Sequence, residues 1–179
     1  MHPAVAKVQE ALRAQGHRGE VMELAESTRT AAQAAAACGV DVGQIVKSLL
    51  FLADAEPILV LASGANQVDE RRLEALTGKP VRRADADTVR AATGFSIGGV
   101  PPVGHARVLR VFIDRDLLEY ETLIAAAGTP RAVFGVTPRD LCRITGGHVE
   151  DLKRQPEGGA VRSRSTTSAT PETGGQPKR

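Results

Sequence analysis

The stretch "GQIVKSLLFLADAEPILVLASG", residues 43–64, decides the fold class of this chain. Its two halves, "GQIVKSLLFLAD" and "PILVLASG", are dense in β-branched and large apolar residues, and the turn-forming letters "DAEP" join them. Apolar runs of this length, separated by a turn signal, predict two paired β-strands. We expect this pair to form the middle of a sheet.

The segments on either side of the pair predict further helices and strands. Helical spacing or capping residues mark "HPAVAKVQEALRAQG", "STRTAAQAAAACGV", "QVDERRLEALTG", "ADADTVRAATG" and "TPRDLCRITG". Strands are predicted in "EVMEL", "ARVLRVFIDRDL", "AVFGV" and "HVEDL". Because strands and helices do not alternate regularly, a doubly wound sheet fits poorly. The predicted class is α/β (α+β), with a mixed, curved sheet and helices packed outside.

The length of the chain, 179 residues, is that of one ordinary domain. Apolar residues make up 42% of the sequence, so one core built mainly from Ala, Val, Leu and Ile can fold without disulfides or metal. We assign this domain to residues 1–154. Residues 155–179 are rich in Gly, Pro, Ser and Thr and have almost nothing to bury, which predicts a disordered tail.

Charge gives no general support for a nucleic-acid partner. The formal net charge is +2, and the tail accounts for it through Arg162, Arg164, Lys178 and Arg179 against Glu157 and Glu172. Residues 1–154 are therefore neutral overall, and any attraction for phosphate has to come from a local patch. The basic residues closest in sequence to the site proposed below are Arg29, Lys79, Arg82, Arg83 and Arg107.

Several classes of site and location are disfavoured. The two cysteines, Cys38 and Cys142, lack metal-binding spacing and suit a reduced cytoplasmic compartment. No signal peptide and no run of 18 apolar residues is present, so a cytoplasmic protein with no membrane partner is expected. The four histidines show no ligand spacing, and the common phosphate-loop, dinucleotide and hydrolase motifs are absent. We expect neither a metal nor a cofactor.

Lys47 stands out within the first predicted strand. In an extended "IVKSLLF", Ile45, Lys47 and Leu49 point to one face, so a cation interrupts an apolar face. An unpaired ammonium there carries a large desolvation cost. The lysine therefore pairs with another group, reaches solvent at the sheet edge with its stem packed, or lines a cavity that uses its charge.

The loop "FSIGGVPPVGH", residues 95–105, is rigid and poor in side chains. Its glycines let the backbone approach a ligand and expose consecutive N–H groups, while Pro101 and Pro102 fix the geometry between them. Backbone donors of this kind can stabilise a developing oxyanion in acyl transfer. The alternative interpretation of this segment is a connecting turn without a function of its own.

Three motifs together carry a family resemblance. "AAQAAAACGVDVGQIVKSLLF", "GFSIGGVPPVGH" and "AAAGTPRAVFGVTPRDLCRITGG" occur in this order between about Val5 and Leu152. They resemble the YbaK/EbsC family, the prolyl-tRNA-editing or aminoacyl-tRNA deacylase fold. The resemblance implies a free-standing protein that hydrolyses amino acids wrongly attached to tRNA.

The same resemblance implies the site residues. The family's functional lysine corresponds to Lys47, and its Gly-x-x-x-Pro loop corresponds to Gly98–Pro102. Lys47, Gly98 and Gly99 are therefore expected to be catalytic. The residues expected to bind substrate are Pro101, Pro102, His105, Gly128, Thr129 and Pro130. Ser63, Gly64 and Asn66, in the turn after the second strand, are weaker candidates, because turns commonly use these residue types.

The implied mechanism is hydrolysis of the ester at the 3′ end of tRNA without a protein nucleophile. Lys47 holds the substrate, and main-chain N–H groups near Gly98 and Gly99 receive the carbonyl oxygen. Alanine, serine, threonine, cysteine and 2-aminobutyrate all stay open as substrates, as do the oligomeric state and a synthetase partner. Two alternatives are a non-catalytic module that binds aminoacyl-tRNA or an amino acid, and a hydrolase of unrelated small molecules.

Overall fold

The computed structural model describes residues 1–156, and most of the predicted tail, residues 157–179, lies outside this range. The elements, in chain order, are α1 (Pro3–Ala14), β1 (Val21–Glu23), α2 (Ala31–Cys38), β2 (Ile45–Ala53), β3 (Glu56–Ser63), α3 (Glu70–Thr77), β4 (Val81–Arg83), α4 (Ala86–Thr93), β5 (Arg110–Asp114), β6 (Leu123–Ala126), β7 (Ala132–Val136), α5 (Pro138–Thr145) and β8 (His148–Glu150). Short 3₁₀ turns cover Val42–Gln44 and Arg115–Glu119.

The predicted strand pair forms the middle of an eight-stranded sheet. β2 and β3 are antiparallel, with Leu49 opposite Val60, and the strand order is β1-β7-β6-β2-β3-β5-β8. The pairs β2/β6, β3/β5 and β5/β8 are parallel, whereas the remaining pairs are antiparallel. The sheet is therefore mixed, which confirms the predicted fold class.

Helices cover both faces of the sheet because successive strand residues point to opposite sides. On one face Leu59 and Leu61 belong to a large buried cluster that includes side chains of α1, α4 and α5. On the other face Ile58 and Val60 pack in a smaller cluster with Leu73 of α3. Each of these four strand side chains is fully buried, and burying one contributes about 1.5–3 kcal/mol.

Helix boundaries follow the capping residues in the sequence. The Thr30 side chain accepts a hydrogen bond from the N–H of Gln33 at the start of α2, and Gly39 ends that helix with a φ of +67°. Thr137 caps α5 in the same way, with Pro138 at the first helical position. None of the helices in residues 1–156 has both the length and the apolar content needed to cross a bilayer.

Two strands that the sequence did not predict, β4 and β6, both pair with β2. They have three and four residues, and their sequences "VRR" and "LIAA" lack the apolar alternation of longer strands. β6 pairs with Ile45 and Val46, whereas β4 pairs with residues 51–53 of the same strand edge. Between these two ladders the edge of β2 has no partner strand. This gap positions the site described next.

Candidate active site

A pocket of about 230 Å³ lies at the gap beside β2. Its walls are mostly apolar and contain many small side chains. Those from β2, the α2 end and β6 are Ile45, Val46, Lys47, Ser48, Leu49, Leu50, Thr28, Arg29, Thr30, Ala31, Ala34, Ile124, Ala125 and Ala126. The others are Arg83, Ala84, Val89, Ile97, Gly98, Val100, Thr129, Pro130, Ala132 and Val133. The volume and the alanines favour a small occupant.

Lys47 lies half-buried in the pocket wall. Its ammonium Nζ donates a hydrogen bond to the main-chain carbonyl oxygen of Asn66. Burial lowers the pKa of Lys47 below its ordinary value; the carboxylate of Asp114 acts in the opposite direction, and the guanidinium of Arg83 lowers the pKa further. The cation predicted on an apolar face therefore lines a cavity and has a hydrogen-bond partner.

A hydrogen-bonded network lies behind Lys47. The side-chain amide of Asn66 donates to Asp114 Oδ2 and to Asp116 Oδ2, each over 2.9 Å. Asp114 also accepts from the N–H of Ser63 at 3.0 Å and from the N–H of Asp116 at 3.0 Å. Lys153 completes the network through a 3.1 Å contact with Asp116. The hydrogen bonds from Ser63 and Asn66 to Asp114, and from Asn66 to Asp116, therefore fix the turn that carries the Asn66 carbonyl.

Ser48 is the residue of β2 whose main-chain N–H and carbonyl groups face the gap. The Gly64 N–H donates to the Ile45 carbonyl, so odd-numbered residues of β2 bond to β3 and even-numbered residues face the opposite edge. Val46 and Leu52 meet β6 and β4 there, and the Leu50 carbonyl accepts from the N–H of Ala84 at 3.1 Å. Within residues 1–156 the buried Ser48 hydroxyl has no partner.

The Gly-x-x-x-Pro loop presents one glycine to the pocket. Gly98 lines the wall with a φ of +91°, and its N–H has no hydrogen-bond partner in the part of the chain that the structure describes. The N–H of Gly99, which was expected to face the substrate, instead donates to the carbonyl of Ser96 at 3.0 Å. That hydrogen bond occupies the donor that the sequence-based hypothesis assigned to an oxyanion.

Three other predicted residues of this loop lie behind the pocket wall. Pro101 and Pro102 are buried and are not among the lining residues. His105 is also outside the lining, and its Nε2 lies 2.6 Å from the Pro101 carbonyl oxygen. Because a carbonyl only accepts, Nε2 carries the proton in this contact. Burial, the largest effect, lowers the pKa of His105, so the neutral form is favoured.

The second glycine loop meets the first through backbone contacts. Gly128 donates to the carbonyl of Gly99 over 2.9 Å, and a Cβ on Gly128 would lie 2.7 Å from the carbonyl oxygen of Ala4 in α1. Gly128 is therefore packed against backbone and does not line the pocket, whereas its neighbours Thr129 and Pro130 do. The Thr28 N–H donates to the Pro130 carbonyl and ties this wall to the segment just before α2.

The remaining candidates separate into pocket and non-pocket residues. Ser63 is buried, its hydroxyl donating to the Gly43 carbonyl, and Gly64 donates to Ile45, so both stabilise the turn. Arg29 and Arg83 lie on the pocket wall. Lys79 forms an ion pair of 3.2 Å with Glu56. Arg82 and Arg107 are exposed and do not line the pocket.

Sequence reasoning missed Ser48 and Asp114 as residues of the site. The alternation of β2 assigned Ser48 to the face opposite Lys47, but it gave no reason to expect a gap in the sheet beside it. Asp114 follows the apolar run "VFI", and a carboxylate at the end of a buried strand was the signal that could have identified it. The long-range pairing of β5 with β3 then brings it to the turn at Asn66.

Comparison with known proteins agrees with this geometry. The family model for the aminoacyl-tRNA editing domain matches residues 25–144. "Uncharacterized protein YwhH" of Bacillus subtilis is 32% identical over 127 residues, covering 70% of this chain and 81% of that protein. "Putative Cys-tRNA(Pro)/Cys-tRNA(Cys) deacylase EbsC" of Enterococcus faecalis is 22% identical, over 71% of this chain and 79% of that protein. A proline–tRNA ligase of Nitratidesulfovibrio vulgaris is 38% identical over 89 residues, which are 49% of this chain and 16% of the ligase.

Solved structures give the same result. A crystal structure described as "a putative trans-editing enzyme for prolyl tRNA synthetase" is 48% identical, with a TM-score of 0.84 over 87% of this chain and 99% of that one. The hypothetical protein APE2540 is 35% identical, with a TM-score of 0.78 over 83% and 99%. The family model covers the pocket, the lysine strand and both glycine loops. The chain therefore belongs to the aminoacyl-tRNA editing domain family, with the YbaK/EbsC fold, and is a hydrolase of aminoacyl-tRNA.

Proposed function

We propose that this protein acts in trans to hydrolyse the ester bond of a small, wrongly attached amino acid on tRNA. The observation that carries the proposal is the Lys47 ammonium in the wall of a 230 Å³ pocket built largely from alanine and other apolar side chains. Such a pocket offers apolar walls to a small guest together with the positive charge of Lys47, with Arg29 and Arg83 also on its wall. An amino acid with a small side chain, esterified to the terminal ribose, has matching chemistry.

In the proposed reaction, water attacks the ester carbonyl carbon, and the bond from that carbon to the ribose oxygen breaks. The ribose oxygen takes up a proton, and the products are the free amino acid and the uncharged tRNA. Lys47 holds the aminoacyl or ribose part of the substrate, and the N–H of Gly98, which has no partner among residues 1–156, is the proposed donor to the carbonyl oxygen as it becomes negative. The attacking water is positioned by backbone groups and by the vicinal ribose hydroxyl. No protein nucleophile takes part.

The size of the pocket is proposed to set the substrate. Ala31, Ala34, Ala125 and Ala126 line it, and a larger side chain would collide with them. An apolar pocket separates substrates that differ by one methylene by only about 10–200-fold, so steric exclusion of larger amino acids is the stronger filter. Alanine, serine, threonine and cysteine are the proposed substrate class. The name of the Enterococcus relative supports cysteine within it.

The acceptor end of tRNA is the proposed macromolecular partner. Arg29 and Arg83 are the two arginines of the pocket wall and can contact phosphates next to the terminal ribose. Similarity to a segment of proline–tRNA ligases, and to a structure described as acting for prolyl-tRNA synthetase, supports tRNA(Pro) and that synthetase as partners. The proposed location is the cytoplasm, where charged tRNA is used.

A panel of charged tRNAs tests the proposal. tRNAs carrying alanine, serine, threonine, cysteine, 2-aminobutyrate or proline are incubated with wild type, Lys47→Ala and Lys79→Ala. The last variant is the matched control because Lys79 is an exposed lysine paired with Glu56 outside the pocket. We expect wild type and Lys79→Ala to release one or two small amino acids. We expect Lys47→Ala to lose about 100-fold or more in rate, because the substrate is no longer held in the reactive position.

The two alternative functions give different results in the same assay. A non-catalytic module of this fold would bind the charged tRNAs and protect the ester, so binding without release would overturn the proposal. A hydrolase of unrelated small molecules would cleave simple amino acid esters at a rate that tRNA does not raise. Full activity in Lys47→Ala would remove the lysine from the mechanism.

A further inference from the structure

The hydrogen bonds behind the pocket connect a buried carboxylate to the Lys47 ammonium. Asp114 is 1% exposed, yet none of the ion pairs within residues 1–156 includes it. A buried carboxylate needs hydrogen-bond donors to offset the loss of its hydration. Asp114 obtains them from Ser63, Asn66 and Asp116. Two of these three donors belong to the turn that carries the carbonyl bonded to Lys47.

We propose that Asn66 and Asp114 are positioning residues that hold the Lys47 ammonium in the pocket wall. The inference rests on the proposed role of Lys47 in deacylation. The Asn66 carbonyl is the direct contact of the ammonium, and the Asn66 side chain fixes that carbonyl by donating to Asp114 and Asp116. Neither residue is among those that line the pocket.

The geometry explains why this support is needed. A lysine side chain has a flexible four-carbon stem, and without a fixed partner its ammonium would occupy many positions in an open cavity. The turn is also held from within, because the Asn66 N–H donates to the Ser63 carbonyl at 3.0 Å and the Ser63 hydroxyl donates to the Gly43 carbonyl at 2.8 Å. Because the turn is fixed in this way, the Lys47 ammonium has one defined hydrogen-bond acceptor, the Asn66 carbonyl.

Electrostatics supports the same assignment. Burial lowers the pKa of Lys47, and the negative charge of Asp114 opposes that effect. Arg83 on β4 lowers the pKa, and Arg29 lies on the wall of the same pocket. Asp116 and Lys153 lie on the far side of Asn66 and neutralise one another. Asp114 is therefore the carboxylate that favours the charged form of the lysine.

Two variants and one control test the inference by NMR titration and kinetics. Asn66→Ala removes the amide that fixes the turn, and Asp114→Asn removes the charge. Asp140→Asn is the control, because it also removes a hydrogen-bonded carboxylate, but on α5 away from the pocket. Lysines labelled at Cε report the titration of Lys47, whose signal is identified by its absence in Lys47→Arg. kcat and KM are measured on the charged tRNA that wild type hydrolyses fastest.

We expect Asp114→Asn to lower the pKa of Lys47 and to move the alkaline limb of the kcat profile to lower pH. We expect Asn66→Ala to lower kcat by about 10–100-fold with little change in KM, because the ammonium is displaced while the pocket that binds substrate is intact. Asp140→Asn should match wild type in both measurements. A Lys47 titration unchanged in Asp114→Asn, or wild-type kcat in Asn66→Ala, would overturn the inference.

The two readouts separate this inference from the proposed function. If wild type hydrolyses no charged tRNA, the proposed function fails. The Lys47 titration still tests whether Asn66 and Asp114 position the ammonium. If wild type is active and the variants titrate and turn over like wild type, the inference fails and the proposed function stands. Should Asp114→Asn not fold, Asn66→Ala decides, because it leaves the carboxylate and its bonds to Ser63 and Asp116 in place.

Discussion

The N–H of Gly128 donates a 2.9 Å hydrogen bond to the carbonyl oxygen of Gly99, and this bond joins the two glycine loops of the site. A Cβ on Gly99 would lie 2.8 Å from both the Gly128 carbonyl oxygen and the Thr129 Cα. The two loops thus approach each other backbone to backbone, without room for a methyl group. Gly99 is required for packing here, and Gly98 is the glycine that faces the pocket.

Gly99→Ala should destabilise the protein by about 1–3 kcal/mol, because the new methyl meets backbone atoms that cannot turn away. Gly135→Ala, in strand β7, is the matched control, since its Cβ would meet atoms no closer than 3.9 Å. Urea unfolding of both variants measures the difference. Equal stability of the two variants would mean that the loops can separate without cost.

Arg83→Gln should raise the pKa of Lys47, because the guanidinium of Arg83 lowers that pKa in the wild type. If the charged lysine is the active form, the alkaline limb of the rate profile moves to higher pH, opposite in direction to Asp114→Asn. The profile is measured with the spontaneous hydrolysis of the ester subtracted at each pH. A limb that moves to lower pH in Arg83→Gln would contradict this account of the electrostatics.

Ser48→Ala should raise stability slightly, by up to about 1 kcal/mol, because it removes a buried hydroxyl that has no partner within residues 1–156. Ser63→Ala is the contrasting variant. The Ser63 hydroxyl donates to Gly43 at 2.8 Å and accepts from the Ala65 N–H at 3.3 Å, so its loss should cost about 1–2 kcal/mol. Unfolding free energies measure both changes. A lower kcat/KM in Ser48→Ala, at undiminished stability, would indicate that the hydroxyl binds substrate.

His105→Gln should make stability less sensitive to acid. Burial lowers the pKa of His105 in the folded protein, so the unfolded chain binds the proton more tightly. The contribution of the neutral imidazole is therefore present above its ordinary pKa of about 6.5 and is lost as the pH falls below that value. Glutamine does not titrate and can still donate to the Pro101 carbonyl. Melting temperatures from about pH 7 to 5 should fall more steeply in wild type than in the variant. Parallel curves would contradict the prediction.

Local signals predicted most of the elements correctly. The apolar runs of β2 and β3 and the turn between them predicted the centre of the sheet, and Thr137 was predicted as the cap of α5. The sequence offered Ser27, Thr28 or Thr30 as the cap of α2 and Asp85 or Asp87 as the cap of α4, and the structure has Thr30 and Asp85. These features depend on residues that are close in sequence, so local sequence patterns are sufficient to predict them. The first two motifs that resemble the editing family lie inside the matched residues 25–144, and the third, residues 125–147, begins inside that range and ends three residues beyond it.

The shape of the site depended on contacts that local signals do not encode. β4 and β6 are short, and only their pairing with β2 makes them strands. The engagement of the Gly99 N–H with Ser96 and the hold on Lys47 by Asn66 and Asp114 arise from turns and from long-range pairing. A glycine in a sequence shows that backbone can approach closely, but not whether the neighbour is substrate or protein.

Between its two ladders β2 has an unpaired edge, so the sheet is incomplete at the pocket in which the reaction is proposed to take place. Because β6 and β4 pair with β2 on either side of the gap, the free edge of β2 can contact a small molecule but is too short to pair with a strand of another chain. A short free edge lowers the risk of edge-to-edge aggregation. The width of the opening is set by the end of β6, where Ala125 pairs with Val46, and by the end of β4, where Arg83 pairs with Phe51. Lengthening the β6 ladder by one pair would narrow the opening without altering Lys47, so the size of the substrate that fits can change in this fold separately from the group proposed to act on it.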